Sequence, residues 1–83
     1  MLPFVKGISE KAEGHLQGLV RQIRLDAGVT QLELANRIGV PQSFISKFES
    51  GERRLDILEL RQICRALGLN LADFVRRLEK EIP

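Results

Sequence analysis

The stretch TQLELANRIGVPQSFISKFESG, residues 30–51, carries the clearest helix and turn signals of this chain. Thr30 is followed three residues later by Glu33, the spacing at which two side chains cap the first turn of a helix reciprocally. Gly39 suits the end of that helix, and Pro41 suits the first turn of the next one, where its missing N–H costs nothing. The stretch therefore predicts two short helices joined by a tight turn.

Apolar residues recur at helical spacing on both sides of this stretch. Before it, the apolar run around Leu19 ends at Gly28, a residue that readily adopts the left-handed conformation of a helix end. After it, Asp56 and Asn70 are capping residues that start two further helices. No alternating stretch typical of a strand is present. The sequence predicts a compact all-α domain of five helices.

The composition indicates one small globular domain. The chain has 83 residues, of which 43% are hydrophobic and 29% are charged, enough for a single core. Its 13 basic and 11 acidic residues give a net charge of +2, which is compatible with DNA binding but does not by itself indicate it. We expect residues 1–10 to form a loose N-terminal arm and residues 11–83 to form the domain.

The chain offers no clear set of residues for catalysis or for a metal ion. His15 has no second histidine or cysteine at ligand spacing, and Cys64 lies on an apolar helix face, where a thiol is usually a core residue. A single cysteine excludes an intramolecular disulfide, and no apolar run approaches the roughly 20 residues that span a bilayer. We expect a cytoplasmic protein with no enzymatic step, no cofactor and no small-molecule ligand.

The outward face of the second short helix carries residues that suit DNA. Ile45 and Phe48 share its inner side, which leaves a polar outer side of the kind that a helix-turn-helix places in the major groove. There glutamine pairs with adenine and lysine donates to guanine, while residues at the helix start and in the following loop meet phosphates. The alternative for each is an ordinary solvated side chain. The candidate DNA contacts are Gln31, Gln42, Ser43, Ser46, Lys47, Arg53 and Arg54.

An ordered set of residues extends from the helix before this stretch to the helix after it: Arg24, Gly28, Thr30, Gln31, Leu34, Ala35, Gly39, Val40, Ile45, Ser46, Lys47, Glu49, Gly51, Leu60, Ile63, Cys64, Ala66, Leu67 and Gly68. In this set the chain resembles the Xre family of helix-turn-helix domains, the lambda-repressor-like fold of phage repressors and bacterial regulators. Small members of that family include restriction–modification controller proteins. The resemblance implies a sequence-specific transcriptional regulator.

The resemblance also implies roles for individual residues. Gln31 and Gln42 match paired glutamines that often brace each other and touch phosphate or base, and Ser43 matches a base-reading position, as does Lys47. These roles agree with the DNA contacts that the polar outer side indicates.

Two further residues match an internal ion pair of the family. Arg24 and Glu49 are expected to join the first helix to the end of the third, so we interpret them as structural residues rather than as DNA contacts. Phe44 is a departure, because it is a large aromatic residue close to the outer side. It either contacts a thymine methyl group or covers the core.

The last helix carries an apolar stripe, which consists of Phe74, Leu78 and Ile82. A domain this small could bury the stripe within one chain, but an uncovered stripe would favour a two-fold dimer. We expect a homodimer that binds double-stranded DNA at an inverted repeat, with its recognition helices about 34 Å apart. An antitoxin that holds a toxin protein and regulates its own operon is the alternative function.

Overall fold

The computed structural model describes residues 6–82, and their side chains from Gly14 onward. Over this range the chain forms five α-helices and no strand, which confirms the all-α prediction. The helices are α1 (Lys6–Asp26), α2 (Gln31–Ile38), α3 (Gln42–Glu49), α4 (Ile57–Ala66) and α5 (Leu71–Glu81). None of the described helices is both long enough and apolar enough to cross a membrane.

The first helix begins earlier than the sequence predicted. Residues 6–10, which were expected to belong to a loose arm, form the first turns of α1. No proline follows Pro3 in this segment, so the backbone hydrogen bonds of the helix can start at Lys6 without interruption. Residues 1–5 of the expected arm lie outside the described residues.

The predicted capping residues start α2, α4 and α5. The Thr30 hydroxyl accepts the N–H of Glu33 at 3.0 Å, and the Glu33 carboxylate accepts the N–H of Thr30 at 2.8 Å. Asp56 and Glu59 exchange the same two bonds at 2.7 and 3.0 Å. The Asn70 side chain accepts a first-turn N–H of α5 at 2.8 Å. Each of these bonds satisfies a backbone donor that has no partner inside the helix.

The core lies where all the helices meet. Helix α2 packs against α3 and α4, whereas α1 packs against α3 and α5. Ala35 is completely buried, and its small side chain permits the close approach of α2 to its neighbours. The buried apolar residues are Leu19, Val20, Ile23, Val29, Leu34, Ala35, Ile45, Phe48, Leu60, Ile63, Cys64 and Phe74.

The position of Phe74 corrects one expectation from the sequence. Only 1% of its surface is exposed in the single chain, so the ring is not available to a partner. The reason is that α5 packs against both α1 and α4, and Phe74 belongs to the buried core of the domain. Leu78 and Ile82, the other members of the expected interface, are half-buried.

Candidate nucleic-acid interface

The turn between α2 and α3 determines how α3 is presented. Gly39 adopts a left-handed conformation with φ of 74°, and its N–H bonds to the Asn36 carbonyl at 3.4 Å. The N–H of Val40 bonds to the Ala35 carbonyl at 3.0 Å, which closes the end of α2. Pro41 is extended, and α3 starts at the next residue. Three residues therefore separate the two helices, and α3 packs against α2.

The outer side of α3 is polar, as the sequence predicted. Ile45 and Phe48 are completely buried on its inner side. Gln42, Ser43 and Lys47 are exposed on the opposite side. These three side chains lie on the surface of a helix that its inner residues hold firmly in place.

Ser46 occupies the border of that outer side. Its side chain is half-buried, and its hydroxyl donates to the carbonyl of Ser43 at 3.3 Å. This back-bond within the first turns of α3 leaves the hydroxyl oxygen able to accept one more hydrogen bond. Ser46 is thus a weaker candidate for base contact than the exposed Ser43.

An ion pair joins α1 to the end of α3. The Nε and Nη2 atoms of Arg24 donate to the two carboxylate oxygens of Glu49 at 2.7 and 2.8 Å, in the bidentate geometry that arginine favours. The Nη1 atom of Arg24 also donates to the Val29 carbonyl at 2.8 Å. Both side chains are nearly buried, with 7% and 4% of their surface exposed. The pair therefore orients α3 from inside the protein.

The charges of this pair are stabilised in place. Burial alone would raise the pKa of the Glu49 carboxyl, but hydrogen bonds from Arg24 and Gln31, together with the charge of Arg24, hold that pKa below its ordinary value. The hydrogen bond to Glu49 raises the pKa of Arg24 above its ordinary value. Both groups are consequently ionised at neutral pH.

Gln31 lies at the first turn of α2 and belongs to the same network. Its Nε2 atom donates to Glu49 at 3.0 Å. The brace with Gln42 that the family resemblance implied does not occur among the hydrogen bonds of residues 14–82. Because the amide nitrogen carries two N–H groups, one donor remains for a second acceptor.

The two candidate arginines in the loop after α3 have different surroundings. Arg54 is exposed. Arg53 instead pairs with Glu59 at 3.0 Å and stacks over Phe44, with 3.9 Å between its guanidinium carbon and the ring centroid. Phe44 is half-buried and packs against the core, so of its two predicted roles the structure supports cover of the core.

The described residues meet the requirements of neither a metal site nor a reactive cysteine. Among the described residues, no group of three or more histidine, cysteine, aspartate or glutamate side chains is arranged to hold a metal ion. Cys64 is buried, and burial raises the pKa of its thiol to about 11. A thiol with that pKa stays protonated at neutral pH and is a poor nucleophile.

Comparison with known proteins identifies the family. The helix-turn-helix family profile HTH_3 matches residues 20–74, which is more than half of the chain. The chain belongs to the Xre family of helix-turn-helix DNA-binding proteins. This confirms the resemblance read from the ordered residue set. Proteins of this kind are transcriptional regulators that bind DNA and carry out no enzymatic step.

Relatives of this Xre-family chain agree with that assignment. It is 38% identical over 53 residues to an HTH-type transcriptional regulator of Methanothermobacter thermautotrophicus, covering 64% of this chain and 77% of the relative. It is 35% identical over 71 residues to a transcriptional regulator in the ATPase CF(0) region of Rhodospirillum rubrum, covering 86% of this chain and 66% of the relative.

Solved structures show the same fold. An XRE-family like protein from Pseudomonas syringae pv. tomato superposes with a TM-score of 0.88 at 40% identity, covering 99% of this chain and all of the other. The restriction–modification controller protein C.Esp1396I, in a tetramer bound to its natural 35 base-pair operator, gives a TM-score of 0.79 at 31% identity and covers 86% of this chain and 93% of its own.

Sequence reasoning missed the partners of Arg53. The capping box identified Glu59 as a helix-start residue, but no local rule predicts its ion pair with Arg53, six residues earlier. No local rule predicts the stacking of Arg53 on Phe44 of α3 either. The contact of Arg53 with Phe44 arises only when the loop folds back on α3. The signal for this cluster is therefore tertiary.

Proposed function

We propose that this Xre-family chain regulates transcription by binding an inverted-repeat operator as a two-fold dimer, with α3 in the major groove of each half-site. The observation that carries the proposal is the contrast between the two sides of α3. Its inner residues, Ile45 and Phe48, are fully buried, and its outer residues Gln42, Ser43 and Lys47 are exposed hydrogen-bonding groups. A rigid helix with an adaptable polar side meets the requirements of base reading.

Each outer residue has a chemical role in this proposal. Gln42 forms paired hydrogen bonds with adenine N6 and N7, and Lys47 donates to guanine O6 or N7. Ser43 donates to or accepts from a base edge, as Ser46 does with its remaining capacity. Gln31 and the exposed Arg54 contact phosphates, which fix the register of the protein without reading sequence.

The dimer forms through a surface on α4 and α5, which we call the α4–α5 surface: Ile57, Leu58, Leu71, Val75, Leu78 and Ile82. Ile57, Leu58 and Val75 are exposed by 59%, 68% and 38%. Arg61 and Leu71 line one groove between the two helices, and Ile57 and Val75 each lie one helical turn further along. Large apolar side chains left exposed on neighbouring helices favour a partner that covers them. Phe74 has no part in this interface.

Selection of bound sequences from a pool of random duplexes tests the whole proposal. The expected product is a palindrome whose half-sites are about 10 base pairs apart, since a two-fold dimer presents its recognition helices about one DNA turn apart. Recovery of a single, non-symmetric half-site would contradict the dimer. Recovery of no preferred sequence would contradict sequence-specific regulation altogether.

The antitoxin alternative assigns the same surface to another protein. It predicts that a second polypeptide copurifies with the chain in a fixed ratio and dissociates when Val75 is replaced by glutamate. Native mass measurement of the purified protein distinguishes the two cases, because a homodimer has twice the mass of the chain and contains one polypeptide species.

A further inference from the structure

Side chains from α3, α4 and the loop between them meet at Arg53. The guanidinium lies over the ring of Phe44, with 3.9 Å between its carbon and the ring centroid. Its Nη1 and Nη2 atoms donate to the two carboxylate oxygens of Glu59 at 3.2 and 3.0 Å. We call Phe44, Arg53 and Glu59 the Arg53 cluster.

The backbone of the same loop is attached to the recognition helix. The N–H groups of Glu52 and Arg53 both donate to the Lys47 carbonyl, at 2.8 and 3.1 Å. Phe44 and Lys47 are three residues apart on α3 and are therefore neighbours on its surface. Arg53 thus contacts α3 at two points, through its side chain at Phe44 and through its backbone at Lys47.

The cluster also extends to the start of α4. The Glu59 carboxylate that holds Arg53 accepts the N–H of Asp56 at 3.0 Å, so one side chain serves both the helix cap and the ion pair. The Arg53 bond, followed by the bond from the Asp56 backbone, holds the pKa of Glu59 below its ordinary value, and the bond to Glu59 raises the pKa of Arg53. The arginine is thereby paired with a carboxylate within the chain.

We propose that Arg53 is a positioning residue for DNA recognition: through Phe44 and the backbone at Lys47 it holds α3 in the orientation in which the exposed residues of that helix read the operator, while Arg54 supplies the phosphate contact of this loop. This inference rests on the proposed function, in which α3 lies in the major groove. The planar guanidinium suits the role because it can stack on a ring and bind a carboxylate with two parallel bonds at the same time.

The competing role for Arg53 is a direct phosphate contact, and the two roles predict opposite changes. A phosphate contact strengthens the binding of every DNA sequence equally. It also adds about 0.9 to the magnitude of the slope of log affinity against log salt concentration. A positioning residue affects the ratio of operator affinity to unrelated-duplex affinity and leaves that slope unchanged.

The test measures both quantities for E59Q, R53Q and R54Q, with the selected operator and an unrelated duplex of equal length. Glutamine at residue 59 keeps the capping geometry while removing the charge that holds Arg53. We expect E59Q and R53Q to lower the specificity ratio by about three- to tenfold at an unchanged salt slope. R54Q is the matched control. It should reduce the magnitude of the salt slope by about 0.9 and leave the specificity ratio unchanged.

Several outcomes would overturn the inference. If E59Q bound both duplexes more tightly at an unchanged ratio, or if R53Q behaved like R54Q, Arg53 would be a phosphate contact. If the wild-type chain preferred no duplex, the proposed function would fail, and the positioning role with it. If the wild-type chain preferred the operator and R53Q kept the same specificity ratio and salt slope, the positioning role alone would be overturned.

A measurement without DNA examines the cluster itself. F44L keeps an apolar side chain of similar size against the core but removes the aromatic face on which Arg53 stacks. Thermal unfolding midpoints of R53Q, F44L and the double variant should be non-additive, because either change removes the same contact. Additive midpoints would show that Arg53 and Phe44 do not interact in solution, and the inference would be rejected.

Discussion

Glu49 accepts hydrogen bonds from Arg24 and Gln31 while exposing only 4% of its side chain. A carboxylate so deeply placed remains charged because its partners replace the water it has lost. Removal of one partner leaves the other charge buried and unpaired, which typically costs about 3–5 kcal/mol. By contrast Gln42 and Lys47, on the opposite side of α3, are exposed to solvent. The difference in hydrogen-bonding environment separates structural polar residues from candidate DNA contacts.

The Glu49 carboxyl should make the stability of the chain depend on pH. Its pKa is lowered in the folded state from the ordinary value of 4.5. The stability that the ionised carboxylate contributes is therefore present above the ordinary pKa and is lost as the pH falls through the lower folded pKa. Urea unfolding at a series of pH values should show a smaller acid-induced loss for E49Q than for the wild type. Parallel pH profiles would contradict this assignment.

Replacement of Gln42 or Lys47 on α3 should lower operator affinity strongly and change the stability of the fold little. Q42A and K47A each remove a base contact worth about 1–3 kcal/mol of discrimination in the proposed complex. Operator affinity is measured by fluorescence anisotropy and stability by thermal unfolding. Q22A on α1 and K80A on α5 are the controls, since they change exposed residues of the same types away from α3. Unchanged operator affinity of both α3 variants would show that this face does not read DNA.

At the scale of the elements, the helix ends are encoded locally and the turn before α3 depends on one dihedral angle. Gly39 has φ of 74°, and a Cβ added there would meet nothing within 4 Å. Space is therefore available for a side chain, and the left-handed backbone conformation is the feature that requires glycine. Gly18, in the interior of α1, likewise faces open space but has an ordinary helical backbone.

Substitution by alanine should change the free energy of unfolding in opposite directions at these two glycines. G39A should lower the free energy of unfolding by about 1–2 kcal/mol, because alanine is strained in the left-handed region. G18A should raise it by about 0.5–1 kcal/mol, because alanine loses less backbone entropy than glycine in a helix. Chemical denaturation of both variants measures the difference. If G39A were as stable as the wild type, the α2–α3 turn would not depend on glycine.

At the scale of the whole molecule, the proposed assembly depends on which apolar residues the monomer leaves exposed. Leu58 on α4 and Val75 on α5 are exposed by 68% and 38%, whereas Phe74, the residue before Val75 on α5, is 1% exposed. A charge at Phe74 would disrupt the core of each chain, so dissociation could not be separated from unfolding. The α4–α5 surface is therefore probed through Leu58 and Val75.

Charged substitutions on this surface should produce folded monomers. L58E and V75E place a carboxylate in the proposed interface, where it would be buried without a partner, and sedimentation equilibrium should show the mass of one chain. Operator affinity should fall in parallel, because a monomer engages one half-site. L25E is the control, since Leu25 is 49% exposed but lies on α1. Persistence of a dimer in both variants would place the interface elsewhere.

The number of helices, the caps of α2, α4 and α5 and the polar side of α3 could be predicted from the sequence, whereas α1 begins earlier than expected. These features depend on residues that lie within one or two turns of each other: Thr30 with Glu33, the positive φ of Gly39, and the alternation of buried and exposed residues along α3. Local hydrogen bonds and helical periodicity are sufficient to predict them. The family resemblance added the Arg24–Glu49 pair, which local rules do not supply.

Which of the candidate residues remain at the surface depends on how the helices pack. Gln31 bonds to Glu49, 18 residues away in sequence, and Arg53 stacks on Phe44 of another helix. Phe74, which the sequence assigned to an interface, lies in the core because α1 and α4 both pack on α5. Such contacts join residues that are brought together only by helix packing, and their energies depend on the burial that this packing creates. Gln31 and Gln42 are the same type of residue, yet Gln31 bonds to Glu49 whereas Gln42 is exposed, and this difference comes from the packing around each one.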